Sequence, residues 1–128
     1  MKYNILHTCI RVMDLEKSMK FYQEALGFEV ESFRDFPDYK FTLVFLVDET
    51  KNHAIELTYN YEQDPPYVIG NGFSHIAVGV VDLECSRTFH QELGYEVTDF
   101  KGTAGAPPRY YFVKDPDGYL VEVIRKDI

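Results

Sequence analysis

The feature that most constrains this chain is an internal duplication. The segment "ILHTCIRVMDLEKSMKFYQEALGFEV" at residues 5–30 returns at residues 73–97 as "FSHIAVGVVDLECSRTFHQELGYEV". With His7 aligned to His75, half of the 18 positions from 7 to 24 are identical, and the match resumes once Ala25 is skipped. Copies of one unit are expected to fold alike, so the sequence predicts two equivalent modules.

Each copy has the pattern of a strand, a helix and three more strands. Alternating apolar residues open each copy, at 4–12 and 73–81. Asp14 and Asp82 are candidate N-caps for amphipathic stretches that end at Gly27 and Gly94. Further runs typical of strands lie at 28–35, 40–48, 53–60, 95–101, 109–115 and 119–125. The prediction is therefore an α+β fold with two tandem βαβββ modules.

The modules are joined by a stretch rich in turn-forming residues. Residues 61–72 read "YEQDPPYVIGNG", where Pro and Gly mark a connection. The predicted modules are 1–62 and 72–128, and 128 residues fit one domain, 1–128. Within the second module "DPDG" at 115–118 predicts a tight turn between two strands.

Composition excludes several classes of partner. Thirteen basic and 21 acidic residues give a net charge of -8, which argues against binding to nucleic acid or to anionic membranes. No apolar stretch approaches the length of a membrane span, and the N-terminus begins a strand pattern rather than a signal peptide. We expect a cytoplasmic protein with a small-molecule partner, and with Cys9 and Cys85 as reduced thiols that pack or fill space.

The duplication also predicts a metal site. Equivalent polar groups should lie opposite each other across a pseudo-twofold axis, and His7 and His75 form the first such pair. Aligning "AIELTYN" at 54–60 with "LVEVIRK" at 120–126 pairs Glu56 with Glu122. A carboxylate set between apolar strand neighbours is costly to bury unless a cation accompanies it.

Strand alternation places further polar groups beside these ligands. His7, Cys9 and Arg11 share one face of the first strand, while Leu6, Thr8, Ile10 and Val12 face the other way. On the fourth strand the shared face carries Glu56, Thr58 and Asn60. Imidazole and carboxylate ligands suit Ni, Co, Mn, Fe or Zn, and the lack of cysteine ligands argues against a closed structural zinc site.

The other candidate residues have simpler interpretations. His53 near a turn and His90 on the helix are expected to be surface residues. Tyrosines 59, 61 and 67 are candidates for the mouth of a pocket. Two carboxylates on opposite sides of a bound substrate would supply a paired acid and base, which fits an isomerisation through an enediolate.

Four motifs resemble one known family. They are "LHTCIRVMDLEKSMKFYQEALGF", "IELTYN", "HIAV" and "FVKDPDGYLVEVI", and together they span nearly the whole chain. They are similar to glyoxalase I (lactoylglutathione lyase) of the vicinal oxygen chelate superfamily. The resemblance implies one curved eight-stranded mixed sheet like that of the glyoxalase/bleomycin-resistance fold. It also implies that His7, Glu56, His75 and Glu122 bind a divalent metal.

The resemblance further implies a reaction and a division of roles. The substrate would be the hemithioacetal of methylglyoxal and glutathione, converted to S-lactoylglutathione through a cis-enediolate. Glu122 matches the usual catalytic base and Glu56 its partner, while Arg11 and Asn60 would bind the γ-glutamyl end of glutathione. Short bacterial-type members imply Ni²⁺ as the first choice, with Co²⁺ or Zn²⁺ as the others.

The sequence departs from the family at one place and leaves alternatives open. Family members carry basic residues before the second histidine and before the "DPDG" turn to bind the glycyl carboxylate, where this chain has "IGNGFSH" and "KGTAGAPPRYY". Lys101 and Arg109 are the candidates to replace them. The alternatives are a glyoxalase that uses another thiol, a methylmalonyl-CoA epimerase-like enzyme, thiol transfer to fosfomycin, and a metal-free binding protein. Pairing of edge strands predicts a homodimer, with the four ligands drawn from one chain or from two.

Overall fold

The computed structural model describes residues 1–126 of the chain. These residues divide into two compact units, the first Met1–Val68 and the second beginning at Ile69. Each unit contains one sheet with helical structure packed on one side of it.

The first unit has the predicted order of strand, helix and three strands. Its elements are β1 (His7–Arg11), α1 (Leu15–Lys20), a π-helical turn (Phe21–Ala25), β2 (Glu29–Phe36), β3 (Phe41–Val47) and β4 (Ala54–Asn60). The sheet order is β1-β4-β3-β2. The first strand runs parallel to β4, and the other pairs are antiparallel.

The second unit repeats this arrangement with one strand fewer. Its elements are β5 (His75–Val80), α2 (Leu83–Glu92), β6 (Tyr110–Lys114) and β7 (Leu120–Arg125). The sheet order is β5-β7-β6, and β5 runs parallel to β7 as β1 does to β4. The predicted α+β class is confirmed.

The prediction of one eight-stranded sheet was wrong. Residues 1–126 form a four-stranded and a three-stranded sheet, and the predicted strand at 95–101 makes only isolated bridges from Val97 to Val113 and from Lys101 to Tyr110. The ladder is interrupted at Thr98 because the Arg87 side chain donates to the Thr98 carbonyl at 2.8 Å. The Phe112 N–H donates instead to the Thr98 hydroxyl, at 2.9 Å.

Both helices begin and end where the sequence predicts. The Asp14 carboxylate accepts the Lys17 N–H at 3.1 Å, and the Asp82 carboxylate accepts the Cys85 N–H at 3.0 Å. These bonds satisfy N–H groups that have no partner within the helix. Gly27 and Gly94 follow the helices with φ of 72° and 90°, a conformation that glycine adopts without steric cost.

The unmatched residue of the duplication is accommodated as a π-helical turn. Ala25 has no counterpart in the second copy, and it lies in the turn that extends α1. An inserted residue within a helix is commonly absorbed in this way. The two copies also differ in burial at this point, since Phe21, the first residue of the turn, is 0% exposed and its counterpart Phe89 is 44% exposed.

The core of each unit lies on the helical side of its sheet. In the first unit Ile10, Val44 and Leu57 are buried, and in the second unit Val121 and Val123 are buried. Leu6 was predicted to share the core face of the first strand, but it is 73% exposed because β1 begins only at His7. Within the described residues no helix is long and apolar enough to cross a membrane.

The expectation that His90 lies at the surface was wrong. His90 is 2% exposed, and its Nδ1 lies 2.7 Å from the Tyr111 hydroxyl. That hydroxyl is also 2.7 Å from Ser86 Oγ. A chain of hydrogen bonds therefore replaces the solvation that the imidazole loses on burial. His53 is exposed, as predicted.

Candidate metal-binding and active-site residues

The first His–Glu pair lies on the face of the first sheet that is turned away from the helix and the core, which we call the open face. β1 runs parallel to β4 with Cys9 opposite Glu56, so His7 is diagonal to this glutamate on the same face. His7 Nε2 lies 3.2 Å from Glu56 Oε2. The histidine side chain is 41% exposed and the glutamate 13%, so the carboxylate is largely shielded while the imidazole reaches outward.

The second pair repeats this geometry in the second unit. β5 runs parallel to β7 with Ala77 opposite Glu122, and His75 is again diagonal to the glutamate. His75 Nε2 lies 3.5 Å from Glu122 Oε1, and the two side chains are 32% and 18% exposed. Each unit therefore presents one imidazole nitrogen and one carboxylate oxygen on its open face.

Each pair is bordered by a phenylalanine that sequence reasoning missed. Phe45 is opposite Glu56 and its ring meets His7 edge-on at 5.2 Å. Phe112 is opposite Glu122 and its ring meets His75 at 5.4 Å. The sequence did contain a signal for these two residues. Phe45 and Phe112 each lie 18 residues after the glycine that ends the helix of their copy, Gly27 or Gly94.

The spacing within each pair fits two ligands of one ion. Ligand atoms about 2.1 Å from an ion lie about 3.0 Å apart at right angles and about 3.4 Å apart at the tetrahedral angle. The observed separations of 3.2 and 3.5 Å fall close to these values. Within residues 1–126 the structure contains no group of three or more His, Cys, Asp or Glu side chains that could hold a metal ion.

The predicted substrate-binding residues lie farther along the same open face. Arg11 is opposite Thr58 in the parallel β1–β4 register and its side chain is exposed. Asn60 Nδ2 donates to the Tyr67 hydroxyl at 2.9 Å. Of the other tyrosines predicted near a pocket mouth, Tyr59 and Tyr61 contact each other with ring centroids 5.9 Å apart.

Cys9 is exposed and was expected instead to fill space. Its Sγ lies 3.2 Å from the Thr58 hydroxyl. Desolvation by neighbouring groups raises the pKa of the Cys9 thiol, and the nearby Glu56 carboxylate adds to this. The thiol is therefore protonated near neutral pH.

A cleft opens beside Glu122 within the second unit. Its volume is about 500 Å³, which lies in the range of small-molecule sites. The lining residues are Gly102, Thr103, Arg109, Tyr110, Glu122 and Ile124. Of the two basic residues considered from the sequence, Arg109 lines this cleft and Lys101 does not.

Known proteins resemble the chain in sequence. The lactoylglutathione lyases of Haemophilus influenzae and Neisseria meningitidis are 43% and 40% identical to it. The first comparison covers 94% of this chain and 90% of the relative, and the second covers 95% and 90%.

Solved structures resemble it as well. The trypanothione-dependent glyoxalase I of Leishmania major is 38% identical with a TM-score of 0.83, over 97% of this chain and 87% of that one. Glyoxalase I of Zea mays is 37% identical with a TM-score of 0.87, over 98% of this chain and 45% of that one. Residues 4–123 match the family described as Glyoxalase/Bleomycin resistance protein/Dioxygenase superfamily. The chain belongs to this superfamily.

Proposed function

We propose that the protein is a lactoylglutathione lyase, glyoxalase I. It isomerises the hemithioacetal of methylglyoxal and glutathione to S-lactoylglutathione through a cis-enediolate, and thereby removes methylglyoxal. The proposal is supported by relatives of that name at about 40% identity over nearly the whole chain. The observation that carries it is the His–Glu pair repeated at equivalent positions of both units.

The proposed metal ligands are His7, Glu56, His75 and Glu122. Two imidazole nitrogens and two carboxylate oxygens suit a divalent transition metal, and the two carboxylates neutralise its charge. Nickel is our first choice, with cobalt or zinc as the others. A bound divalent ion would act as a Lewis acid toward the two adjacent oxygens of the substrate.

The two glutamates are proposed to move the proton. Glu122 removes it from C1 of the hemithioacetal and returns it at C2, and Glu56 is its partner on the opposite side. Phe45 and Phe112 border these carboxylates and are proposed to limit the access of water. The proton then moves between the carboxylate and the substrate rather than to solvent.

The substrate is held at its thiol part. Arg11 and Asn60 are proposed to bind the γ-glutamyl end of glutathione, because a guanidinium and an amide together match a carboxylate and an amine. Both lie on the open face that carries His7 and Glu56.

The proposed assembly is a cytoplasmic homodimer in which modules 1–62 and 72–128 make up one functional domain. Mixing two inactive variants tests how the ligands are distributed. His7→Ala disables the first module and Glu122→Ala the second, so a heterodimer regains one intact site only if each site combines modules from two chains. Recovered activity would show shared sites, and no recovery with heterodimers confirmed would show sites within one chain.

The first experiment tests turnover and metal together. The protein is stripped with a chelator, reloaded separately with Ni²⁺, Co²⁺ or Zn²⁺, and assayed for thioester formation from methylglyoxal and glutathione. Metal-restored turnover is expected. Tight metal binding without turnover would refute the proposed substrate, and absence of metal binding would refute the four proposed ligands.

A further inference from the structure

The open face of the first sheet carries an arginine that the proposed reaction does not use. Arg34 is opposite Leu43 in the antiparallel β2–β3 register, and Leu43 is opposite Thr58 of β4. Thr58 is in turn opposite Arg11 of β1. Directly opposed residues of neighbouring strands share one face of a sheet. Arg34 therefore lies on the same face as Arg11, at the opposite edge of the sheet.

The surface between Arg34 and Glu56 is apolar. It is formed by partly exposed residues of β3 that alternate with buried ones, and we call it the apolar strip. Its members are Phe41, Leu43 and Phe45. Phe36 of β2 extends the strip, because its ring centroid lies 4.9 Å from that of Phe41. The His–Glu pair, the apolar strip and a guanidinium thus follow one another across the open face.

Arg34 has no partner within the part of the chain that the structure describes. Its side chain is exposed and forms no ion pair with residues 1–126, so its five N–H donors are available to a ligand. The adjacent Asp35 carboxylate accepts hydrogen bonds from Thr42 and Tyr61 instead. A charge on an edge strand discourages pairing with another chain, but that role does not require partly exposed aromatic residues beside it. Exposed apolar surface next to polar groups is typical of a binding site.

We infer that the apolar strip and Arg34 bind the side chain of the 2-oxoaldehyde, and that the protein accepts 2-oxoaldehydes whose side chain ends in a carboxylate. The inference rests on the proposed function and names a class of substrate for it. Because β3 separates β2 from β4, Arg34 belongs to a strand about 10 Å from that of Glu56. The methyl group of methylglyoxal is too short to cross the strip. A chain of several carbons crosses it and brings its carboxylate to the guanidinium, which can bind it through two parallel hydrogen bonds.

The apolar strip fits this part of the substrate better than it fits the glycine end of glutathione. The glycine end contains a peptide group, whose N–H and C=O would lose water over Leu43 and Phe45 without gaining a partner. A hydrocarbon chain is instead stabilised by removal from water at such a surface. The reaction is unchanged, since the proton still moves from C1 to C2 and the distant carboxylate takes no part in it.

The test compares two substrates that differ only in that carboxylate. These are the glutathione hemithioacetals of 6,7-dioxoheptanoate and of its methyl ester, assayed with the full-length metal-loaded protein. The unaltered protein is expected to have the lower KM for the acid. Arg34→Ala should raise KM for the acid about fivefold, as for loss of an exposed ion pair, and should leave KM for the ester unchanged. Every variant receives the same two hemithioacetals, so differences in how readily they form cancel.

Two charge reversals make the assignment specific. Arg34→Glu should give the ester the lower KM, because the carboxylate of the acid now meets a like charge. Lys17→Glu makes the same change of net charge on α1, on the other side of the sheet, and should leave the preference for the acid intact. An acid preference that survives in Arg34→Ala, or KM values for acid and ester that rise together, would overturn the inference.

Direct binding separates this inference from the proposed function. Calorimetry measures the affinities of the unaltered protein and of Arg34→Ala for S-(5-carboxypentyl)glutathione and for S-hexylglutathione, without any reaction. If the unaltered protein does not turn over the methylglyoxal adduct, the proposed function fails. A preference for the carboxylate ligand that is lost in Arg34→Ala would still support binding of the side chain at Arg34. The same ratio of the two affinities in both proteins would overturn it.

Discussion

Replacing Tyr111 by phenylalanine removes one oxygen atom from a buried chain of hydrogen bonds in the second unit. The hydroxyl lies 2.7 Å from Ser86 Oγ and 2.7 Å from His90 Nδ1. Burial raises the pKa of Tyr111, so the hydroxyl is neutral at physiological pH and takes part as a neutral donor or acceptor. The substitution keeps the ring and removes both hydrogen bonds.

The cost falls mainly on His90. Ser86 is partly exposed and can turn toward water, whereas His90 is 2% exposed and Nδ1 loses its tyrosine partner inside the core. Removing one hydrogen-bond partner of a buried polar atom costs about 1–3 kcal/mol. We expect the free energy of unfolding to fall by about 2 kcal/mol and Tm by roughly 6–10 °C.

Urea unfolding followed by circular dichroism measures this loss, with Tyr110→Phe as the matched control. Tyr110 is adjacent in sequence, faces the open side of the sheet, and makes no hydrogen bond through its hydroxyl within the described residues. The control should therefore change stability by less than about 0.5 kcal/mol. Equal stability of both variants would refute the buried hydrogen-bond chain.

Three further outcomes are expected. Glu122→Gln should retain the fold and lose about 100-fold or more in turnover, as expected for a general base, and near-normal activity would exclude that role. A hydrogen bond from Tyr61 lowers the pKa of Asp35, so Asp35→Asn should be less stable than the parent protein at pH 7. The difference in stability should vanish as the pH falls through the lowered pKa, because the parent then loses the stabilising charge. A difference that stays constant through an acid titration would contradict this. Deleting Ala25 should keep the helix but expose Phe21 as its counterpart is exposed, which costs about 2 kcal/mol in urea unfolding, and unchanged stability would show that the π-helical turn buries nothing useful.

The duplication made most of the fold predictable, because each pattern could be checked against its copy. The Asp caps and the glycine ends occur twice, and both occurrences have the expected conformation. The predicted strand at 95–101 does not form a continuous ladder, for a reason that the alternation of apolar and polar residues cannot reveal. Its pairing is decided by the Arg87 side chain of α2, a tertiary contact that captures the Thr98 carbonyl.

Buried polar residues were the other limit. His90 carries a titratable group on an amphipathic helix, which by itself predicts exposure. The first copy points to a buried position instead, because His90 aligns with Tyr22 and Tyr22 is fully buried. Equivalent positions of the two copies share burial as well as sequence, so the aromatic residue at position 22 favours a core position for His90. The hydrogen bond between His90 and Tyr111 could not be predicted in this way, because it depends on the tertiary structure.

The two copies are alike where an ion would be bound and unlike farther along the same strands. His and Glu occur in both, but the counterpart of Arg11 is Gly79 and the counterpart of Asn60 is Lys126. The Lys126 stem lies over Gly79, within 3.3 Å of where a Cβ would stand. Coordination of a metal ion is nearly symmetric, so identical modules can serve it, whereas a substrate with two different ends requires different contacts from each module. The divergence of the strand ends is therefore the change expected when a duplicated metal site acquires an unsymmetrical thiol substrate.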